Sequence, residues 1–177
     1  MLYIFTGNGK GKTTAALGQA MRAVGEGKRV LMVQFIKGPW KSGEDTIEIK
    51  SPEYPQGKFK LVKMGKGFVG ILNDTLPREE HEKAAEEALE YAKKEINSGS
   101  WDILIFDEIN NAVSLNLISK EKVLEFIEYS KEKVEHLILT GRDAPKEFIE
   151  KAALVTEMLD TKHPFEQGVK GKRGLEY

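Results

Sequence analysis

The residues with the clearest chemical potential form a glycine-rich loop near the start of the chain. Residues 6–14, TGNGKGKTT, end in the Gly-Lys-Thr that closes the Gly-x4-Gly-Lys-Ser/Thr phosphate motif, although Thr6 stands where the motif has its first glycine. Glycines let backbone N–H groups surround phosphate oxygens, Lys12 supplies positive charge, and the Thr13 hydroxyl suits Mg²⁺. The predicted phosphate-binding residues are Gly7, Asn8, Gly9, Lys10, Gly11, Lys12, Thr13 and Thr14, with Lys12 as the catalytic residue.

A pair of acidic residues provides the second part of the predicted site. Asp107 and Glu108 directly follow an apolar segment at 103–106 that is typical of a buried strand. In phosphate-loop proteins an acid at the end of a neighbouring strand holds magnesium, and Mg²⁺ prefers hard oxygen ligands. We therefore predict a metal site of Thr13, Asp107 and Glu108. Which acid contacts the metal is open, and Glu108 could instead orient a water molecule.

Two further residues are weaker candidates. Arg142 follows an apolar segment at 137–139, so it either emerges at the ligand-binding edge of a sheet or pairs with a surface acid. Phe68 lies between glycines and is either a binding platform or a core residue. The basic tail at 162–177 either folds over a polyphosphate or is solvated.

The elements that position these residues alternate between apolar strands and amphipathic helices. Strands are predicted at 2–5, 30–35, 59–64, 103–106, 137–139 and 154–158, and helices at 13–24, 77–97, 120–131 and 144–152, with Gly25 as the cap of the first helix. This alternation predicts an α/β fold with a mostly parallel sheet and helices on both faces. Without a linker or a repeat, residues 1–177 are expected to form a single domain.

Composition excludes several classes of protein. The 27 basic and 28 acidic residues give a net charge of −1, which argues against a nucleic-acid partner. The chain has no cysteine, so thiolate metal sites and disulfides are excluded, and the three histidines lack metal-ligand spacing. No apolar segment approaches the roughly 18 residues of a membrane span, and no signal peptide is recognisable. We therefore expect a cytoplasmic protein that does not bind membranes.

Seven motifs together resemble the P-loop class of ATP:corrinoid adenosyltransferases. They lie at 6–18, 33–38, 107–110, 139–142, 155–158, 162–170 and 173–176, in order along essentially the whole chain. The resemblance implies a RecA-like P-loop NTPase fold and a homodimer. It also implies transfer of the 5′-deoxyadenosyl group of ATP to the Co(I) of a reduced corrinoid, with release of triphosphate. ATP, Mg²⁺ and the corrinoid would bind, and a reductase would supply Co(I).

The resemblance also assigns roles to residues. Lys12, the loop amides and Mg²⁺ would stabilise the departing triphosphate, and no protein general base would be needed. Phe68 would contact the corrinoid. Where the family commonly has Gly-Glu-Gly-Phe-Thr-Trp, this chain has GKGFVG at 65–70, so Phe68 matches and Gly70 replaces the tryptophan.

Two other functions are compatible with a phosphate loop. A P-loop ATPase or kinase would cleave the terminal phosphate, with Glu108 positioning a water. A non-catalytic protein would bind ATP or a corrinoid without turnover. The reaction product separates the three hypotheses, because only adenosyl transfer releases triphosphate.

Overall fold

The computed structural model describes residues 1–71, 74–164 and 168–175. Within them, six strands form one sheet in which each pair of neighbours is parallel. The strands are β1 Leu2–Thr6, β2 Arg29–Gln34, β3 Lys58–Lys63, β4 Ile103–Asp107, β5 His136–Thr140 and β6 Leu154–Glu157, and their spatial order is β3-β2-β4-β5-β1-β6. This arrangement confirms the predicted α/β class.

Helices cover both faces of the sheet. They are α1 Lys12–Gly25, α2 Arg78–Asn97, α3 Ile109–Ser114, α4 Lys120–Ser130 and α5 Lys146–Lys151, and a 3₁₀ turn spans Gly43–Thr46. On one face, Ala16, Ala20 and Val24 of α1 pack against Met32 and Ile105 of the sheet. Residues of α2, α3, α4 and α5 form the larger core on the other face. Side chains alternate between faces along a strand, so each strand contributes to both cores.

Two details differ from the sequence prediction. The helix α3 was missed because its six residues are too few to show a helical period. The predicted cap at Gly25 is wrong, since Gly25 lies inside α1 and the left-handed turn falls on Gly27, with φ +79°. The predicted last strand is present as the edge strand β6, which pairs with β1 and is exposed along its whole length.

The order of the strands determines where the site can form. The strands β4, β5 and β1 are adjacent and parallel, so the loops that leave their carboxyl ends meet at one edge of the sheet. Those loops carry the glycine-rich segment, the acidic pair and Arg142. Among the described residues, no helix combines the length and apolar character needed to cross a membrane.

At the opposite edge of the sheet, an ion pair joins Arg29 to Asp102 and leads to the first prediction. Arg29 donates from its backbone N, Nε and Nη2 to the Asp102 carboxylate at 2.8, 2.9 and 2.6 Å. These bonds from the Arg29 side chain hold the pKa of Asp102 below its usual value. A lowered carboxylate pKa stabilises the fold above the unfolded value of about 3.9, and this stabilisation disappears as the pH falls further.

We expect Asp102→Asn to lower the free energy of unfolding at pH 7 by about 1 kcal/mol, a modest value because the pair is partly exposed. The difference from wild type should narrow as the pH falls below about 4, where the carboxylate protonates. Urea titrations at pH 7 and below about pH 4 measure the free energy of unfolding of both proteins. The control is Glu48→Gln, whose ion pair with Lys50 is largely exposed and should contribute little. A pH-independent effect of Asp102→Asn would show that the charge is unimportant.

Candidate active site

The glycine-rich loop connects β1 to α1 and packs tightly against the segment that follows β6. The Gly9 N–H donates to the Met158 carbonyl at 2.7 Å. A Cβ on Gly7 would lie 2.4 Å from the Met158 carbonyl oxygen, and one on Gly9 would lie 2.5 Å from that of Leu159. Gly7 also has φ +92°, which disfavours other residues. Close packing therefore requires glycine at positions 7 and 9, in addition to the space that a bound phosphate would need.

Lys12 is the first residue of α1, and its side chain curls back over the loop. Its Nζ donates to the carbonyls of Gly7 and Gly9, each at 2.8 Å. Burial lowers the pKa of Lys12, while the negative charge of Glu108 opposes that effect. The ammonium group is therefore held against the loop at the cavity that Lys12 lines, where a phosphate could take over its hydrogen bonds.

Asp107 ends β4 and is completely buried. Its Oδ1 accepts hydrogen bonds from the hydroxyls of Thr13 at 2.9 Å and Thr140 at 2.7 Å. Its Oδ2 accepts from Nε2 of Gln34 at 3.0 Å. Sequence reasoning missed Gln34 and Thr140. The available signal was that each is a polar residue closing an otherwise apolar strand.

Glu108 follows in a left-handed conformation, φ +63°, and its N–H donates to the Thr140 hydroxyl at 3.0 Å. Its side chain lines the cavity beside the glycine-rich loop, called the main cavity below. Burial, and after it the negative charge of Asp107, raise the pKa of Glu108 to about 7. Lys12, Lys37 and Arg142 act in the opposite direction. Of the two acids, Glu108 is therefore the one that faces the cavity.

The cavity beside the loop is open to solvent and measures about 820 Å³. It brings together most of the predicted residues, including Lys12, Thr13, Phe68, Glu108 and Arg142. Sequence reasoning missed other lining residues, namely Leu17 of α1 and, from distant segments, Lys37, Gly43, Glu44, Ile47 and Asp160. Gly7 and Asp107 lie behind this lining rather than in it.

The C-terminal tail also reaches the cavity. His163, Gly174 and Leu175 line it, and Nζ of Lys10 donates to the Leu175 carbonyl at 2.8 Å. The tail therefore borders the cavity, and its folding over a bound polyphosphate stays a prediction. Two parts of the tail motifs, residues 165–167 and residue 176, lie outside the described residues.

Arg142 owes its position to the helix that the sequence analysis missed. Its backbone N–H donates to Oδ1 of Asn111 at 2.6 Å, and Nδ2 of Asn110 donates to the carbonyl of Gly141 at 3.2 Å. Both asparagines belong to α3. The loop after β5 is therefore fastened to the segment after Glu108, and the Arg142 side chain lines the cavity.

Phe68 has an aromatic neighbour from a different loop. The ring centroids of Phe68 and Trp40 are 5.5 Å apart, and their exposed fractions are 45% and 59%. Gly70 has φ +69°, a conformation that a tryptophan would adopt only with strain. Trp40, which sequence reasoning did not identify, therefore provides a second exposed aromatic ring beside Phe68.

The donor set at the loop is compatible with magnesium. The hydroxyl of Thr13 and the carboxylates of Asp107 and Glu108 are hard oxygen donors of the kind that Mg²⁺ binds. In the part of the chain that the structure describes, no three His, Cys, Asp or Glu side chains form a metal cluster.

A glycine-rich loop between a strand and a helix, with an acid ending a nearby parallel strand, defines a P-loop nucleotide-binding protein. Comparison with known proteins is more specific. Residues 1–177 match the model of the family ATP:corrinoid adenosyltransferase BtuR/CobO/CobP, and the chain belongs to that family.

Curated relatives match over the full length of this chain. The corrinoid adenosyltransferase of Escherichia coli K12 is 38% identical over 178 residues, which cover 100% of this chain and 85% of the relative. The corrinoid adenosyltransferase of Sinorhizobium sp is 36% identical, covering 100% and 80%. The corrinoid adenosyltransferase CobA of Salmonella typhimurium is 35% identical, covering 100% and 85%.

The tight packing of the loop yields a second prediction. Gly7→Ala should weaken ATP binding at least about tenfold, because the added Cβ meets the Met158 carbonyl and displaces the loop. The matched control is Gly18→Ala in α1, where a Cβ meets nothing within 4 Å. This control should keep wild-type affinity and gain about 0.5–1 kcal/mol of stability. Isothermal titration calorimetry measures both affinities. Equal ATP affinity in Gly7→Ala and wild type would refute the assignment of the loop.

Proposed function

We propose that the main cavity is the active site in which the 5′-deoxyadenosyl group of ATP is transferred to the Co(I) of a reduced corrinoid. Membership of the family makes the protein a corrinoid adenosyltransferase, a transferase of cobalamin biosynthesis. The observation that carries the site assignment is that the phosphate loop and Phe68 line the same cavity. One opening can therefore receive both substrates side by side.

In the reaction, the cobalt attacks C5′ of the ribose. The C5′–O bond breaks, its electron pair leaves with triphosphate, and a cobalt–carbon bond forms. The nucleophile belongs to the corrinoid, so the protein contributes position and charge. Lys12 and the loop amides would stabilise the negative charge that develops on triphosphate. Lys37 and Arg142 add positive charge to the same cavity.

Magnesium is proposed as the metal cofactor. Thr13 and Glu108 would hold it beside the phosphates, while buried Asp107 fixes the Thr13 hydroxyl through its 2.9 Å hydrogen bond. When bound, Mg²⁺ would neutralise part of the triphosphate charge. The buried position of Asp107 supports Glu108 as the carboxylate closer to the metal, which the sequence left open.

The corrinoid is proposed to bind at the exposed rings of Phe68 and Trp40. A corrin macrocycle is large and flat, and exposed aromatic rings offer it apolar contact area. Isolated exposed apolar residues need no explanation, but two adjacent rings beside a cavity are typical of a binding surface.

The proposal also covers the oligomeric state, the cellular compartment and the source of Co(I). We infer that the chain acts as a homodimer of single domains in the cytoplasm and receives Co(I) corrinoid from a separate reductase. The absence of cysteine supports a reducing compartment. It also means that the chain has no thiol with which to reduce cobalt itself.

The ATPase or kinase hypothesis and the non-catalytic hypothesis are less well supported. Both fit a phosphate loop, and Glu108 at the cavity could orient a water molecule. Neither accounts for matches to corrinoid adenosyltransferases along the entire chain.

Turnover provides the third prediction. With Mg·ATP and chemically reduced cobalamin under anaerobic conditions, the wild-type protein should form adenosylcobalamin and stoichiometric triphosphate. Lys12→Ala should reduce kcat/KM by about 10²–10³, the usual cost of removing a charge-stabilising donor. Lys50→Ala, which alters an exposed ion pair, is the control. The cobalt spectrum and phosphate analysis are the readouts. Release of orthophosphate without a spectral change would instead establish a hydrolase.

The aromatic pair provides the fourth prediction. Phe68→Ala and Trp40→Ala should each raise the KM for cobalamin about tenfold, because each removes exposed ring surface worth roughly 1–2 kcal/mol. The KM for ATP should be unchanged. Met21→Ala is the matched control, since Met21 is 66% exposed on α1 and does not line the cavity. Reduced thermal stability with normal cobalamin kinetics would mean that Phe68 has a core role.

A further inference from the structure

The loop that carries Phe68 runs from the end of β3 to the start of α2. Its first half is fastened by the backbone: the N–H groups of Met64 and Gly65 donate to the Gln34 carbonyl at 3.0 and 3.1 Å. The Gly67 N–H donates to the Ile36 carbonyl at 2.8 Å. These three bonds precede Phe68. In the second half of the loop Val69 packs against the core, and a polar interaction holds the described backbone beyond it.

Asp74 provides that interaction. Its Oδ2 accepts from the Gly70 N–H at 2.8 Å and its Oδ1 accepts from the Leu76 N–H at 3.1 Å. Its own N–H donates to the Ile71 carbonyl at 3.1 Å. One carboxylate thus binds the backbone on both sides of itself and closes the loop around its own side chain.

The same carboxylate is attached to α2 through His81. Nε2 of His81 lies 3.1 Å from Oδ2 of Asp74, and the side chains are 2% and 10% exposed respectively. The neighbouring Ala84 and Ala85 are buried, so His81 projects from a helix that is fixed by the core. The backbone bonds lower the pKa of Asp74 and keep it an acceptor, so the ring N–H donates.

This Asp74–His81 pair is separate from the main cavity, since neither residue lines it. Asp74 lines a second, smaller cavity of about 150 Å³ together with Trp40 and Phe68. The pair therefore lies behind the aromatic surface rather than in the nucleotide site. Both side chains of this hydrogen-bonded pair are nearly buried, so removing either one leaves the other without its partner at a cost in free energy.

We propose that Asp74 and His81 are positioning residues, which fix the loop so that Phe68 and Trp40 present a preformed surface to the corrinoid. This inference rests on the proposed corrinoid role of Phe68. Without the pair, the corrinoid must order the loop when it binds, and its apparent affinity falls. ATP binding does not depend on this loop segment and is unaffected.

The test compares kinetic constants for reduced cobalamin and for ATP. Asp74→Ala and His81→Ala should raise the KM for cobalamin about tenfold, whereas kcat and the KM for ATP stay within about twofold. His81→Gln should restore most of the cobalamin affinity, because its amide N–H can donate from nearly the same place. Glu82→Gln is the matched control, since it alters an exposed ion pair with Arg78 on the same helix.

A purely structural role predicts different results. Equal increases in both KM values, or a lower melting temperature with unchanged cobalamin KM, would overturn the proposal. So would a His81→Gln variant as impaired as His81→Ala. If Asp74→Ala does not fold, Asp74→Asn replaces it and should give a smaller increase in cobalamin KM, because one acceptor oxygen remains. No increase in that variant would also overturn the proposal.

Phe68→Ala, measured in parallel, separates this proposal from the one on which it rests. If Phe68→Ala raises the cobalamin KM and the Asp74 and His81 variants do not, only the positioning role fails. If Phe68→Ala has no effect, the corrinoid role of Phe68 fails, and with it the proposed purpose of the Asp74–His81 pair.

Discussion

The buried carboxylate of Asp107 is the interaction on which the site depends. It joins Thr13 of α1, Gln34 of β2 and Thr140 of β5 through three hydrogen bonds of 2.7–3.0 Å. A carboxylate with no exposure to water costs several kcal/mol unless donors surround it. Because each donor comes from a different element, satisfying Asp107 fixes the phosphate loop, the sheet edge and the next loop in one arrangement. Thr140 extends this network to the backbone of Glu108.

This arrangement separates two adjacent acids into different roles. Asp107 is turned inward and holds other residues, whereas Glu108 faces a cavity that also contains Lys12, Lys37 and Arg142. Burial raises the pKa of Glu108 to about 7, and the three basic residues oppose that shift. A bound Mg²⁺ would also favour the ionised form of Glu108 and so lower its pKa. Four basic residues, Lys10, Lys12, Lys37 and Arg142, line this cavity with three acids, Glu44, Glu108 and Asp160. The proposed nucleotide site therefore carries a small excess of positive charge, which suits a triphosphate leaving group.

The other half of the cavity relies on apolar surface and on a positioned loop. Phe68 and Trp40 come from two loops that follow the adjacent strands β3 and β2, so their contact depends on the pairing of those strands. Adenosyl transfer needs the ribose carbon aligned with cobalt, so a loose corrinoid surface would lower the rate even with ATP correctly bound. A loop closed by Asp74 and attached to α2 provides such rigidity at a distance from the reacting atoms.

The sequence by itself determined the α/β class and the family resemblance, and it predicted the phosphate loop, because these depend on glycine spacing and periodicity within contiguous residues. It also selected Phe68, Arg142 and the acidic pair as site residues. It did not reveal that Trp40 neighbours Phe68, that α3 fastens the Arg142 loop, or which acid faces the cavity. The strand order β3-β2-β4-β5-β1-β6 brings these distant segments to one edge, and the side-chain contacts made there decide these facts. Contacts between such segments are set by packing across the whole sheet, and a local pattern carries no information about them.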